Sequence, residues 1–307
     1  MRRGSSWKIV SGAPDPPSGA KMTDDPNERF LRDGVVHIPG ALDAEDLALA
    51  RAGFEWSVAN PSPAAQSYWP ETGTRFYQDL FNMDSWPHYR PLLDRGRLPE
   101  RIRALFGCEN LWFFFEQVFV KSGGDTRRTP WHQDTSYFPV DGTHLAVVWM
   151  SFDPLAADDS LEFVRGSHRG TLFNGSSFAP DDDTAPLYDE QAMPRLPDIE
   201  RNRAAYDIVS WACEPGDVVV FHPSVLHGGA PTRAGRQRRT LSLRFFGDDC
   251  RFVARPGVRK ESDVGFNRES DDSRQVTDFY AGLQPGDPFR HPAFLRLCPP
   301  PGTERAA

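Results

Sequence analysis

Between Leu111 and Phe252 the apolar residues come in short runs, LWFFFEQVFV, LAVVWMSF, LEFV, DVVVF and TLSLRFF, separated by clusters of Gly, Pro, Asp and Ser. Runs of this length, rich in β-branched and aromatic residues and closed by turn formers, predict β-strands. The absence of long helical crossovers between them predicts an antiparallel sandwich or barrel, read here as a jelly roll. The chain before Leu111 is patterned differently. In FLRDGVVHIPGAL, from Phe30, a short apolar segment sits between Gly34 and Pro39-Gly40, as in a strand entering a turn. Asp43 can then cap a helix in which Leu47, Ala50, Phe54 and Val58 fall near one face, with Glu45 and Asp46 in its first turn. Another helix is expected near Leu98 to Leu105. The predicted fold class is mainly β with flanking helices around a jelly-roll core.

Three stretches fall outside these patterns. Residues 1–22, MRRGSSWKIVSGAPDPPSGAKM, have a basic start and a Gly/Pro/Ser stretch but no apolar core, so a disordered leader is expected, with Met22 as a potential internal start. The connection from Gly170 to Trp211 is too long for a simple link and predicts a lid-like insertion, its run Asp181-Asp182-Asp183 remaining solvated. Residues 261–307 turn polar and then Pro-rich, an extension packing on or trailing from a single domain that spans 23–260.

Composition narrows the partners. The 307 residues are 39% apolar and 12% aromatic, enough for a substantial core, which excludes a largely disordered chain. With 43 acidic against 35 basic side chains the net charge is −8, which argues against nucleic acid and anionic membrane and for a small-molecule substrate. No run approaches the ~18 apolar residues of a membrane span. The four cysteines, 108, 213, 250 and 298, form no C-x-x-C and fit a reducing, cytoplasmic compartment. Oligomeric state is not legible.

The chemistry concentrates in two segments. TPWHQDTSYFP sets His132 and Asp134 two residues apart, so in an extended chain both side chains leave one face and can converge on one ion. EPGDVVVFHPSVLHGGAP offers His227 as the third ligand, before Gly228-Gly229, at what reads as a strand edge with little steric cover. His222 is the rival, but its place at the end of an apolar strand suits a core or supporting role. Two histidines and a carboxylate make the facial triad of non-haem Fe(II), which leaves three coordination positions open. Beyond it, strict alternation puts Arg238, Thr240, Ser242 and Arg244 on one strand face and Leu241, Leu243 and Phe245 on the other. A guanidinium there could grip a carboxylate in an anion pocket, or the arginines could form a solvated β-edge.

The ordered set WHQD, LEFVRGSHR, GDVVVFHPSVLHG and RR-x-LSLRF, with the FLRDGVVHIPG entry, resembles the phytanoyl-CoA dioxygenase family of Fe(II)- and 2-oxoglutarate-dependent oxygenases over about Phe30 to Phe252. Arg165 departs from the Pro that often precedes Gly-Ser-His in that family, which bears on the turn more than on the chemistry. The resemblance implies a double-stranded β-helix, His132, Asp134 and His227 as iron ligands, and Arg238 as the partner of the distal carboxylate of 2-oxoglutarate. It implies 2-oxoglutarate and O2 as co-substrates, with succinate and CO2 formed as a C–H bond is oxidised. Gln117 and Trp149 would line the co-substrate or substrate cavity, Thr240 would add a hydrogen bond to the distal carboxylate, and Tyr137, Phe138 and Arg244 are candidates to face substrate. For Trp149, Tyr137 and Phe138 simple aromatic packing is an even alternative, and Arg244 could equally pair internally. Competing functions are a jelly-roll protein that binds a metal or small ligand without turnover, and a cupin-type dioxygenase that needs no ketoacid.

Overall fold

The computed structural model describes residues 25–68, 75–122, 128–179, 181–189, 191–229, 232–233, 235–256, 280 and 282–298. The expected leader, and residues 261–279 of the expected extension, lie outside them. In chain order the strands are β1 (Val35–Ile38), β2 (Gln66–Tyr68), β3 (Arg75–Leu80), β4 (Leu111–Ser122), β5 (Thr129–His132), β6 (Val140–Asp141), β7 (Leu145–Ser151), β8 (Leu161–Val164), β9 (Ile208–Val209), β10 (Val218–Phe221), β11 (His227–Gly229), β12 (Gln237–Phe246), β13 (Arg251–Phe252) and β14 (Leu295–Cys298). Four helices accompany them: α1 (Pro26–Asp33), α2 (Ala44–Ala59), α3 (Trp86–Asp94) and α4 (Arg97–Phe106).

Two sheets make the frame. The larger runs β1-β10-β7-β12-β4-β3-β2, with β14 also paired to β4, and the smaller runs β5-β11-β8-β9. All the pairings given for these sheets are antiparallel. From β4 to β12 the chain passes repeatedly between them: β4 large, β5 small, β7 large, β8 and β9 small, β10 large, β11 small, β12 large. That alternation is the jelly-roll winding. It brings the small-sheet strands β5 and β11 side by side although 95 residues separate His132 from His227 in the sequence.

The helices cover the outer face of the large sheet. Asp43 caps α2 by accepting from the Asp46 N–H, and Ala50 and Phe54 are buried. On that side Phe113, Leu241, Leu243, Phe245 and Leu105 join one apolar core. The described end of the chain packs there too: Phe289 and Phe294 lie edge-on to Phe114, and Arg290 sits 3.8 Å over the Trp112 ring. The 280–298 part of the extension thus packs on the domain and adds a strand to its sheet.

The elements not anticipated are those the apolar pattern marks least. Helix α1 rests on its ends: Asp25 accepts from the Asn27 N–H, Pro26 opens it, and Gly34 closes it at φ 72. A side chain at Gly34 would also collide with His168 and Val225. Strands β2 and β3 are short and mix polar with aromatic residues. The 170–211 connection ends in β9, a two-residue strand of the small sheet. Within the acidic run Asp181 is exposed, whereas Asp182 accepts from Thr184 and pairs with Arg195.

Candidate metal and anion site

His132 ends β5 and His227 opens β11, and the two are direct cross-strand partners. Their rings lie 4.2 Å apart between centroids. Each ring has its Nδ1 beside a backbone carbonyl two residues earlier, Pro130 at 2.8 Å for His132 and Val225 at 2.9 Å for His227. A carbonyl only accepts, so Nδ1 carries the proton and the Nε2 lone pair faces the site, the tautomer a metal ligand needs. Gln133 is extended and Asp134 starts a short 3-10 turn, which carries its carboxylate back toward the rings. Asp134 Oδ1 is 3.3 Å from His132 Nε2 and 3.7 Å from His227 Nε2. One ligand atom from each of the three buried residues fits within 4.8 Å of the others.

His227 is not at an edge. β11 lies between β5 and β8, and the imidazole is packed against Phe221 and Phe163. Gly228-Gly229 instead permits close approach, since a Cβ there would meet Thr129 and Arg128 at 3.0 to 3.2 Å. Burial and the neighbouring His132 ring push the His227 imidazole down to about 3, leaving it neutral. The rival His222 is turned elsewhere: its Nε2–H donates to Gly142 O at 3.0 Å and its Nδ1 accepts from the Ser224 N–H at 3.1 Å.

Arg244 closes the other side of Asp134. Its Nη2 donates to Asp134 Oδ2 at 2.9 Å and to Gln117 Oε1 at 2.7 Å. Burial alone would raise the Asp134 carboxyl. The Arg244 guanidinium instead holds it well below the usual carboxylate range. Phe138 packs behind this pair, in the aromatic core with Phe114 and Phe115, its ring 5.6 Å from the guanidinium.

Two residues further along β11 the polarity changes. Arg238 is buried, with Nη1 donating to Asp159 O, and burial lowers its guanidinium to about 10. Directly across the ladder stands Lys121, also buried, its ammonium 3.4 Å from Thr129 Oγ1 and 4.3 Å over the Phe76 ring. Burial, then Arg238 and Arg128, drive the Lys121 ammonium well below its ordinary range. Thr129 pairs with Gly229, and a Cβ on Gly229 would lie 3.5 Å from Arg238 Nη2. Lys121 and Arg238 of the large sheet therefore lie against Thr129 and Gly229, the cross-strand pair two residues along β11 from His227. Thr240 shares the face, and its buried hydroxyl makes no hydrogen bond among the described residues. Arg239 points the other way, onto Asp153. Trp149 lies directly across from Ser242, packed among Val147, Val219 and Phe221 between the sheets.

The long connection covers the triad. Gln133 Nε2 donates to Thr171 O and its Oε1 accepts from the Phe173 N–H, while Tyr188 Oη donates to Ser136 O. Phe178, held at φ 55, lies 5.6 Å from the His132 ring and stacks on Tyr137, whose hydroxyl donates to Ser176 O. A bulky residue at positive φ is uncommon and is kept there by its surroundings. Lys121 was legible in the sequence, at period two from Gln117 and Phe119 on the strand expected to line the cavity, whereas Gln133 and Phe178 beside the triad were not singled out and left no local signal.

A family model for phytanoyl-CoA dioxygenase matches residues 30–240. The chain belongs to the phytanoyl-CoA dioxygenase family. Human peroxisomal phytanoyl-CoA dioxygenase is 30% identical over 146 residues, 46% of this chain and 40% of that protein. A probable phytanoyl-CoA dioxygenase of Caenorhabditis elegans is 28% identical over 144 residues, 46% of this chain and 44% of its own length. The alignments thus span less than half of these relatives. Among solved structures, the non-heme alpha ketoglutarate dependent carbocyclase SnoK from nogalamycin biosynthesis superposes with a TM-score of 0.64 at 17% identity, covering 92% of this chain and all of SnoK. The epimerase SnoN, in complex with Fe3+, alpha ketoglutarate and nogalamycin RO, gives 0.62 at 18%, covering 88% and 96%. EctD from S. alaskensis, with 2-oxoglutarate and 5-hydroxyectoine, gives 0.57 at 18%, covering 89% and 88%. These establish the jelly-roll fold of the family member described here.

Proposed function

We propose that this protein is a non-haem Fe(II)- and 2-oxoglutarate-dependent oxygenase that oxidises an unactivated C–H bond of a small molecule. The observation that carries the reading is the approach of two opposite sites, one from each sheet. On the β5–β11 ladder of the small sheet His132, Asp134 and His227 offer a metal two nitrogens and a carboxylate, and against Thr129 and Gly229 of that ladder the large sheet brings two buried basic side chains, Lys121 and Arg238, that could meet an anion. A five-carbon dicarboxylate has the length and the charge to join them. The donor set suits Fe(II), which when bound would activate O2 and draw on the ketoacid for electrons.

The chain's own residues do the rest. Arg238 and Thr240 hold the distal carboxylate, and Lys121 supplies the second positive charge. His132 and His227 present their Nε2 lone pairs to the metal because their Nδ1 protons are directed at backbone carbonyls. Phe178 and Tyr137 shield the triad from water on the side of the long connection, which acts as a lid. Gln117 stands at the border between co-substrate and substrate, and Trp149 walls the cavity from behind.

The substrate is a small metabolite or biosynthetic intermediate, which the biosynthetic setting of SnoK and SnoN supports. The described residues hold Cys108, Cys213 and Cys250 as free thiols, in keeping with a reducing, cytoplasmic compartment, and no described helix is long and apolar enough to cross a membrane. The test is succinate released from 2-oxoglutarate with Fe(II) and ascorbate. Slow release that stops without Fe(II), and is abolished in His132→Ala, is expected. Iron binding without any succinate would favour a non-catalytic binding protein or a dioxygenase that needs no ketoacid.

A further inference from the structure

The two oxygens of Asp134 have different neighbours. Oδ1 faces both imidazole Nε2 atoms, at 3.3 and 3.7 Å, while Oδ2 is taken by Arg244 Nη2 at 2.9 Å. The difference matters to any metal at the triad. A carboxylate free to rotate can bind through both oxygens, and with two histidines that makes four protein donors of six. Two positions would remain, and a ketoacid that chelates through two atoms would fill them, leaving none for O2.

Arg244 is built to prevent that rotation. Its guanidinium lies 4.6 Å over the Phe115 ring, and the same Nη2 is anchored on Gln117 Oε1 at 2.7 Å. Gln117 is held in turn by Gln78, whose Oε1 accepts from Gln117 Nε2 at 3.4 Å. The strand beneath is also adapted. The β12–β4 register shifts between Arg244 and Phe245, which face Phe115 and Phe113 and leave Phe114 as the extra residue of a bulge. Bulges re-aim side chains, and here Phe115 and Phe138 flank the guanidinium, their ring centroids 4.6 and 5.6 Å from it. Arg244 and Asp134 are each less than 10% exposed, so the ion pair is not diluted by solvent.

We propose that Arg244, braced by Gln117, is a positioning residue that confines Asp134 to one-oxygen ligation and so keeps three positions of the metal open. The inference rests on the reading of His132, Asp134 and His227 as the metal site, and it names a determinant of coordination number that the ligand motif does not contain.

Co(II) serves as the probe, because its visible absorption reports coordination number and its complex does not turn over. The full-length protein, Arg244→Met, Arg244→Lys and Gln117→Met would each be titrated anaerobically with Co(II) and then with 2-oxoglutarate. The unaltered protein should bind one Co(II) per chain and change its spectrum on adding 2-oxoglutarate. Arg244→Met should still bind one Co(II), with an altered spectrum and at least tenfold weaker 2-oxoglutarate binding. Arg244→Lys, which keeps the charge and one donor, should recover part of both. Gln117→Met should shift them in the Met direction by a few-fold, and it carries the test alone if the arginine variants do not fold. Spectra and 2-oxoglutarate affinity unchanged in folded Arg244→Met, or in Gln117→Met where that variant stands alone, would overturn the proposal. Failure of the unaltered protein to bind Co(II) would overturn the metal-site reading beneath it.

Discussion

The two halves of the proposed site treat charge in opposite ways. At the triad end a single carboxylate, Asp134, is matched by a single guanidinium, Arg244, and both sit in ordinary salt-bridge geometry. At the other end two cations, Arg238 and Lys121, face each other across β12 and β4 with burial working against both. A buried charge is expensive unless compensated. In the proposed reading the first end takes a metal through its remaining lone pairs, and at the second an arriving dianion would meet two basic side chains already held in place.

Removing the triad breaks the comparison most completely. His132→Ala, Asp134→Ala and His227→Ala should each abolish substrate oxidation, since two remaining protein donors hold Fe(II) poorly. His222→Ala, whose ring serves Gly142 and Ser224, should keep measurable iron-dependent turnover, checked by succinate release beside folded-state controls. Equal and complete loss in a folded His222 variant would make that residue a ligand.

Next comes the anion end, where adjacent arginines separate. Arg238 shares its face with Thr240, whereas Arg239 is partly exposed and forks onto Asp153 at 2.7 and 3.1 Å. Losing a buried carboxylate clamp costs roughly 2–5 kcal/mol and an exposed pair under about 1. Arg238→Ala should raise the 2-oxoglutarate requirement at least tenfold, and Arg239→Ala should change it little. A reversed result would shift the strand register by one residue.

Lys121→Met sharpens the contrast through two effects of opposite sign. The 2-oxoglutarate requirement should rise severalfold because a charged partner is lost. Thermal stability of the metal-free, ligand-free protein should rise as well, because one buried cation no longer faces another. A fall in both stability and affinity would mean that Lys121 is a packing element and not part of an anion site.

The smallest effect is set by acid. Burial lowers His168 and His222 to about 4, helped at His168 by the neighbouring His222 ring, so both are neutral in the folded protein. A depressed folded value contributes stability that is present above the unfolded value near 6.5 and lost as pH falls toward 4. Each histidine can steepen that loss by no more than about 1.4 kcal/mol per pH unit. Denaturant titrations of the protein and of His222→Gln should differ in slope within this window and converge above pH 7. Equal slopes would show that the acid response comes from the cavity.

How much of this could be read in the sequence followed from the range of each interaction. The pair His132 and Asp134, and the alternation of Arg238 with Thr240, depend on backbone period alone and were visible. His227 was visible as a residue but not in its setting: a three-residue strand between two partners carries too short an apolar signal to distinguish it from an edge. The link from Arg244 to Asp134 spans 110 residues and depends on a bulge, and nothing local in LSLRF announces either. Phe178 sits in a connection with little regular structure, where hydrophobic period has no meaning. Strands β2 and β3 escaped because they are short and carry more polar than apolar residues, so no apolar run marks them.

Gln133 stands between two of the proposed ligands, and its side chain leaves the opposite face of the chain from theirs. There it joins three backbone groups, Thr171, Phe173 and Ser224, and is almost fully buried. The middle position of the motif thus fastens the covering segment by its first few residues. Beyond that fastening the segment returns to the triad at separate points, among them Phe178 on His132, Tyr188 on Ser136 and Glu200 on Trp131, so a protein engineer wishing to reshape the cover can alter the stretches between them one at a time.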